Sequence, residues 1–329
     1  MKFLYVISFC FLLSLCVHRD LKGDSNSRGT DIIDEWGRLH PDVKRWPSSN
    51  GWKGFKNVAD KVHGMGLKFG IHLMAGISTQ AYDANTPILD TKTGKAFQQS
   101  GKVWHAKDIG IPGRACKWMD KGFMALNVTT DAGKAFLRSL YHLYTSWGLD
   151  FVKLDCVFGE DLDVNEITYV SQLLKEFNPS IVFSLSPGVR ATPNMARQIN
   201  GLVNTYRVAG DDWDKWPDVA AHFDIARDFA AAKLIGAQGL NGNSWPDLDM
   251  LPFGWLTDPG QDIYIAFFNL SNQARTIYAK LDALAKVLPG RKLKGLQGRE
   301  VWSLKSVTIG DALSARVVPH GCALFVFDY

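Results

Sequence analysis

A chain of 329 residues is too long for one small core and long enough for a large α/β domain with a smaller one beside it. Its composition, 46% hydrophobic and 21% charged, is that of an ordinary soluble globular protein. The formal net charge of +4 is spread along the chain rather than gathered into a patch, which excludes the footprint of a nucleic-acid partner.

The first element is "MKFLYVISFCFLLSLCV", one Lys followed by a long apolar run. It reads as a signal peptide within residues 1–30, although no A-x-A-like triplet precedes "HRDLKGDSNSRG". The run is too short for a membrane span, so no membrane contact is expected once it is removed. Its removal leaves Cys116, Cys156 and Cys322, an odd count that allows one disulfide and one free thiol. In a secreted chain, Asn127 in "NVT" and Asn269 in "NLS" are glycosylation acceptors.

From residue 52 to about 250, helices and apolar strands alternate. "GFKNVADKVHGMG" reads as a helix closed by Gly, and "LKFGIHLMAG" as a buried strand. "TTDAGKAFLRSLYHLYTSWG" is a helix with a Thr/Asp start, leading into the strand "LDFVKLDC". The helices "NEITYVSQLLKEF", "PNMARQINGLV" and "DVAAHFDIARDFAAAKLIG" then alternate with "SIVFSLSPG", "NTYRVAGDD" and the short "AQGLNG". Continuous apolar runs separated by helices predict parallel strands buried on both faces. After Pro259-Gly260 the texture changes. "DIYIAFFNLS", "TIYAKLDAL", "LKGLQGREVWSL", "SVTIG" and "ALSARVVPHGCALFVFDY" are short strands joined by turns, the pattern of a small antiparallel β domain.

The polar residues gather at the C-terminal ends of the predicted strands. His72 ends one, Lys153 and Asp155 the next, and Ser184 and Ser186 a third. Arg207, Asp211 and Asp212 end a fourth, and Trp245, Asp247 and Asp249 follow the last. Any one of these is equally well a satisfied structural polar group. Five strands breaking pattern at one level describe the rim of a (β/α) barrel, where active sites lie. Lys153 and Asp155, two apart in a strand, share a face, so an ammonium beside the carboxylate keeps it ionised, as a nucleophile requires. Asp211 follows Arg207 by four residues, and Gly210 turns the chain there. A carboxylic acid in that place protonates a leaving group, and two such carboxyls are the minimum for glycoside hydrolysis. The alternatives are a buried ion pair at Lys153 and Asp155, and a solvated helix cap in "DDWD". No G-x-G-x-x-G, G-K-[ST] or G-x-S-x-G motif is present. His40, His63, His72, His105 and His142 lack metal-ligand spacing, so neither metal nor cofactor is inferred.

At this point several ordered motifs resemble glycoside hydrolase family 27, the melibiase-type α-galactosidases. "WGRLHPDVKRWP", "KVHGMGLKFGIH", "FVKLDC", "IVFSLSP", "YRVAGDDWDKW" and "WPDLDML" all follow the family's order, from about residue 36 to 256. "GIHLMAGISTQAY" and "SLSPG" are similar to the plant-type branch, which includes enzymes resembling β-L-arabinopyranosidases. The resemblance implies a TIM-type (β/α)8 barrel over residues 31–259 and a C-terminal antiparallel β-sandwich over 260–329. It makes Asp155 the nucleophile and Asp211 the acid/base of a retaining double displacement, with carboxyls about 5–5.5 Å apart. Lys153 and Arg207 would hold sugar hydroxyls, with Ser186, His72, Asp212, Trp245 and Asp247 completing the substrate-binding set. It also implies a disulfide between Cys116 and Cys156, although Cys156 stands one position earlier than the family's usual cysteine.

The implied partners are galactose- or arabinopyranose-containing glycans, and the implied location is secreted, in the cell wall or apoplast, or vacuolar. β-L-arabinopyranose is α-D-galactopyranose without its exocyclic CH2OH, so only the pocket at C5 separates the two. Ser186-Pro187 stands where galactosidases carry a Glu-Trp pair, which weakens a strict galactosidase assignment. Two pieces of the family pattern are missing. Only about 35 residues precede Gly37, and the nearest look-alike to the family's early sugar-binding strand is "LYVISFCF", with Ser8 at the acid's place. The apolar N-terminus is therefore open to a second reading, as a degraded barrel strand. Near residue 260 the family's last barrel strand is also missing. The expectation is an incomplete, truncated barrel with open edges. Asp155 and Asp211 would face each other across a wide cleft, and the alternative to an active enzyme is an impaired carbohydrate-binding relative.

Overall fold

The computed structural model describes residues 11–14, 32–119, 121–157, 162–187, 191–210, 216–234, 244–248, 263–288 and 290–327. The chain separates into two compact units, one spanning Val6–Pro252 and the other including Phe253–Tyr329.

The first unit is built on six parallel strands: β1 (Phe11–Ser14), β2 (Phe69–Met74), β3 (Phe151–Asp155), β4 (Val182–Ser186), β5 (Thr205–Arg207) and β6 (Trp245–Asp247). Each pairs with the next in chain order. That unreversed sequence is the wall of a singly wound barrel, not a doubly wound sheet, whose strand order reverses at its middle. Among the described residues, five helices of seven or more residues lie between the strands: α1 (Lys56–Gly64), α2 (Asp131–Thr145), α3 (Val164–Phe177), α4 (Pro193–Ile199) and α5 (Trp216–Ala231). Three begin at side-chain caps, the first of them the Thr/Asp start expected from the sequence. Thr130 accepts from the Gly133 amide, Asp163 from Glu166 and Thr192 from Met195.

The strands' two faces differ in polarity, although neither is open to solvent at the residues named below. Ile71, Leu73, Val152, Leu154, Phe183, Leu185 and Tyr206 alternate onto one face and are buried. Helix side chains cover that face: Phe55, just ahead of α1, packs its ring edge against Phe69, and Phe229 of α5 packs against Tyr206. Each large side chain so buried is worth about 2 kcal/mol of transfer free energy. The other face carries Gly70, His72, Lys153, Asp155, Ser184, Ser186 and Arg207. Gly70 is small for a reason: a Cβ there would lie 2.9 Å from Cβ of Phe151, its neighbour in the register.

Phe11–Ser14 pairs in parallel with Phe69–His72. This pairing is the one that the second reading of the apolar N-terminus, as a barrel strand, expects. It places Ser14, not Ser8, level with His72; Ser8 lies outside the described residues. "AQGLNG" and Asp249 lie outside them too. Among the described residues, the strand after α5 is "WPD", and Asp247 ends it. Among the described residues β6 is an edge, which is where a strand tolerates Pro246, a residue with no N–H to donate. No helix among these residues is long and apolar enough to cross a membrane.

The second unit stacks alternating strands around its own core. β7 (Ile263–Phe268), β12 (Cys322–Phe327), β9 (Gln297–Glu300) and β10 (Ser306–Thr308) form one antiparallel sheet. β8 (Arg275–Lys280) and β11 (Ala312–Val317) form another. Ile263, Ile265, Phe267, Leu313, Val317, Phe325 and Phe327 fill the core. "TIYAKLDAL" is only half strand, because its second half opens helix α6 (Leu281–Val287). Asn269 is also unlike its sequence reading. It is buried, and its amide Nδ2 donates to the carbonyls of Gln273, Val317 and Val318. The nitrogen that a glycan would take is already committed inside the fold.

Candidate active site

The register brings the predicted residues to one place. His72, Lys153 and Ser184 are level across β2, β3 and β4, and Asp155 and Ser186 are level one step further on. Arg207 pairs with Asp247. All lie toward the C-terminal ends of parallel strands, where a barrel keeps its chemistry.

Asp155 is the best-determined member. Its Oδ2 accepts from His72 Nε2 at 3.1 Å, and its Oδ1 accepts from the Cys156 amide at 2.6 Å. Burial by itself raises the Asp155 pKa. The His72 hydrogen bond and charge, the Cys156 amide and the Lys153 charge together outweigh it, and hold the carboxyl below the ordinary carboxylate range. The sequence assigned this task to Lys153; the structure gives the larger share to His72. That contact depends on the register between two strands 83 residues apart, which no local pattern encodes.

The chain turns sharply after Asp155. Cys156 takes a left-handed conformation, with φ of 60°, which costs a side-chain-bearing residue about 1–2 kcal/mol. It is disulfide-bonded to Cys116, with Cα atoms 5.6 Å apart. Cys116 directly follows the strand Gly110–Ala115, which pairs with Phe123–Leu126, which in turn pairs with Ile77–Ser78 just beyond β2. The disulfide thus ties the excursion after β2 to the tip of β3. Backbone bonds support the same tip: the Ala75 amide donates to the Asp155 carbonyl at 2.9 Å.

The remaining residues are placed as follows. Ser186 Oγ is buried and has no hydrogen-bond partner among the described residues. Arg207 Nε donates to the Ala209 carbonyl at 2.7 Å, and the Val208 amide donates to the Asp247 carbonyl at 2.8 Å, joining the ends of β5 and β6. The Asp247 side chain is exposed, and Trp245 contributes its backbone to β6. Asp211 and Asp212 lie outside the described residues, as does the expected separation between Asp155 and Asp211. No group of three or more His, Cys, Asp or Glu among the described residues is arranged to hold a metal ion.

Residues 256–327 match the α-galactosidase C-terminal β-sandwich domain. An α-galactosidase of Oryza sativa subsp. japonica is 26% identical over 222 residues, covering 67% of this chain and 39% of that protein. α-Galactosidase 3 of Arabidopsis thaliana is 23% identical over 90% of this chain and 70% of its own length. Among solved structures, a family 27 β-L-arabinopyranosidase from Geobacillus stearothermophilus superposes with a TM-score of 0.74 at 24% identity. That match covers 91% of this chain and 83% of the other. The C-terminal segment is thus similar to an α-galactosidase domain, and the fold to that of a family 27 glycoside hydrolase. α-Galactosidase I from Mortierella vinacea shares the fold more distantly, with a TM-score of 0.58 at 16% identity over 90% of this chain. The chain has the barrel wall and C-terminal sandwich expected from its motifs, while its match spans well under half the length of the rice enzyme.

Proposed function

We propose that the chain is a retaining glycoside hydrolase that removes terminal α-D-galactopyranosyl or β-L-arabinopyranosyl residues from glycans. One observation carries this reading: a carboxylate held ionised at the C-terminal rim of a barrel wall, on the wall's polar face. Asp155 attacks the anomeric carbon and Asp211 protonates the departing oxygen; Asp211 then activates water against the glycosyl-enzyme. His72 and Lys153 keep Asp155 anionic before attack and accept its altered charge afterwards. Ser186 Oγ, buried without a partner among the described residues, is available to a sugar hydroxyl, whose bond would remove the cost of leaving it unpaired. Arg207, Trp245, Asp247 and Asp212 complete the sugar-binding set.

The disulfide supports an oxidising location, outside the cell or in a vacuole. Cleavage of a signal peptide after residue 17 would take β1 with it, so amino-terminal sequencing of the mature protein decides between the two uses of that segment. Function is tested by assaying the purified chain on p-nitrophenyl α-D-galactopyranoside and β-L-arabinopyranoside, with the first-formed anomer followed by NMR. Turnover with retention, lost in Asp155→Asn, supports the proposal; an inverted first product overturns it. A second reading, a carbohydrate-binding relative with impaired catalysis, draws on the six wall strands among the described residues, where a closed barrel of this type has eight. It predicts sugar binding without turnover.

A further inference from the structure

Glu166 is the buried carboxyl for which the mechanism above has no use. It stands at the third position of α3, where a Glu usually folds back on its own helix cap. Here Asp163 still caps the helix, accepting from the Glu166 amide at 3.0 Å, but the Glu166 side chain points into the core. Its Oε1 accepts from the Gly76 amide at 2.8 Å. Glu166 lines, with Leu73, Met74 and Tyr141, a cavity of about 20 Å³, room for about one water. The charged and titratable groups that face it are Asp163, Arg114 and Tyr141. Burial and Asp163 push its pKa up, the Gly76 amide and Arg114 pull it down, and the outcome is about 7. A carboxyl in such surroundings is costly unless it has a task.

Its location supplies one. Gly76 adjoins Ala75, whose amide holds the Asp155 carbonyl, and both follow β2, whose His72 holds the Asp155 carboxylate. The turn admits no substitute at Gly76. Its φ is +82°, and a Cβ would lie 2.0 Å from the Met124 carbonyl oxygen. Two successive backbone amides therefore carry the two bonds, Gly76 to the carboxylate of Glu166 and Ala75 to the backbone of Asp155. We propose that Glu166 is a positioning residue for the reaction: by holding the Gly76 amide it sets the turn that presents His72 and Ala75 to Asp155. The inference rests on the glycosidase reading above, but its structural half can be measured without turnover.

The test compares the full-length native chain with Glu166→Gln, which keeps an acceptor but does not titrate, and with Glu166→Ala. In NMR titrations of the native chain, the Gly76 and Cys156 amides are expected to share a step near pH 7 that Glu166→Gln abolishes. Cys156 reports on Asp155 directly. A Cys156 amide with no such step, or one that survives in Glu166→Gln, overturns the proposal. In the nitrophenyl glycoside assay, Glu166→Ala is expected to lower kcat by up to about 100-fold, the scale of an ångström-sized misplacement, with little change in KM. Glu166→Gln is expected to recover most of that loss and to lack the native inflection near pH 7. Unchanged kcat in Glu166→Ala, or equal losses in both variants, overturns it. If the native chain hydrolyses neither glycoside, the function reading fails, and the Cys156 titration still decides the positioning role.

Discussion

Replacing Cys116 and Cys156 together by Ala removes the tie beside Asp155, and its cost follows from the structure. The bridge closes a loop with a sequence separation of 40. The chain-entropy relation assigns such a loop about 13 cal/mol/K, or about 4 kcal/mol at 25 °C. Releasing residue 156 from its left-handed backbone returns about 1 kcal/mol, which leaves about 3. For a unit the size of Val6–Pro252, each kcal/mol moves the melting temperature by about 2 °C, so a fall of about 6 °C is expected. Ala is preferred to Ser because both positions are buried and a hydroxyl would add its own penalty. Differential scanning calorimetry of the native and doubly substituted proteins measures the difference, with intact mass confirming the native bridge. A fall of less than about 2 °C would mean that the reduced loop retains its order, and would refute the entropic account.

Three further outcomes follow from named contacts. His72→Phe removes the hydrogen bond and charge that hold the Asp155 pKa down, so that pKa rises; the acid limb of the kcat/KM profile should move to higher pH, and an unmoved limb would leave His72 without the role given it. At the opposite end of the strands, burial raises the Asp150 pKa, but Lys68, the Phe69 amide and His63 outweigh it and hold it below its ordinary value. Because the folded value is depressed, the contribution is present above the unfolded value of about 3.9 and lost as pH falls through the folded one, so Asp150→Asn should flatten the acid side of a stability-versus-pH curve from urea melts. Asn269→Ala should cost about 1–3 kcal/mol, because the carbonyls of Val317, Val318 and Gln273 lose their donor, and peptide mapping of protein from a eukaryotic host should find no glycan at Asn269.

Much of the wall was legible because its signals are local. "FVKLDC" and "IVFSLS" are apolar runs of strand length, and the helix start at Thr130 is a capping residue whose bond reaches only three positions. The same-face placement of Lys153 and Asp155 needed nothing beyond the two-residue period. What escaped depends on partners far along the chain. An apolar run such as "FLLS" serves a signal peptide or a strand equally well, and only a neighbour such as Phe69–His72 distinguishes them. "WPD" is too short and too polar to announce a strand until β5 pairs with it. The Leu281–Val287 helix was hidden because "TIYAKLDAL" mixes a two-residue alternation with a helical start. Glu166 reads from sequence as a helix-cap partner, because the pattern cannot say whether its carboxyl turns outward or inward.

The unreversed strand order has a consequence for how the protein is made. Each strand of the wall pairs with the one just before it, so during synthesis the partner awaiting a new strand has already left the ribosome. The wall can grow by addition at one growing edge, without setting any strand aside for a distant partner. The longest wait among these strands falls between β2 and β3, while the segment carrying Cys116 emerges. The disulfide cannot close until Cys156 follows, and by then both strands that flank it are in place, so oxidation seals a junction that pairing has already chosen.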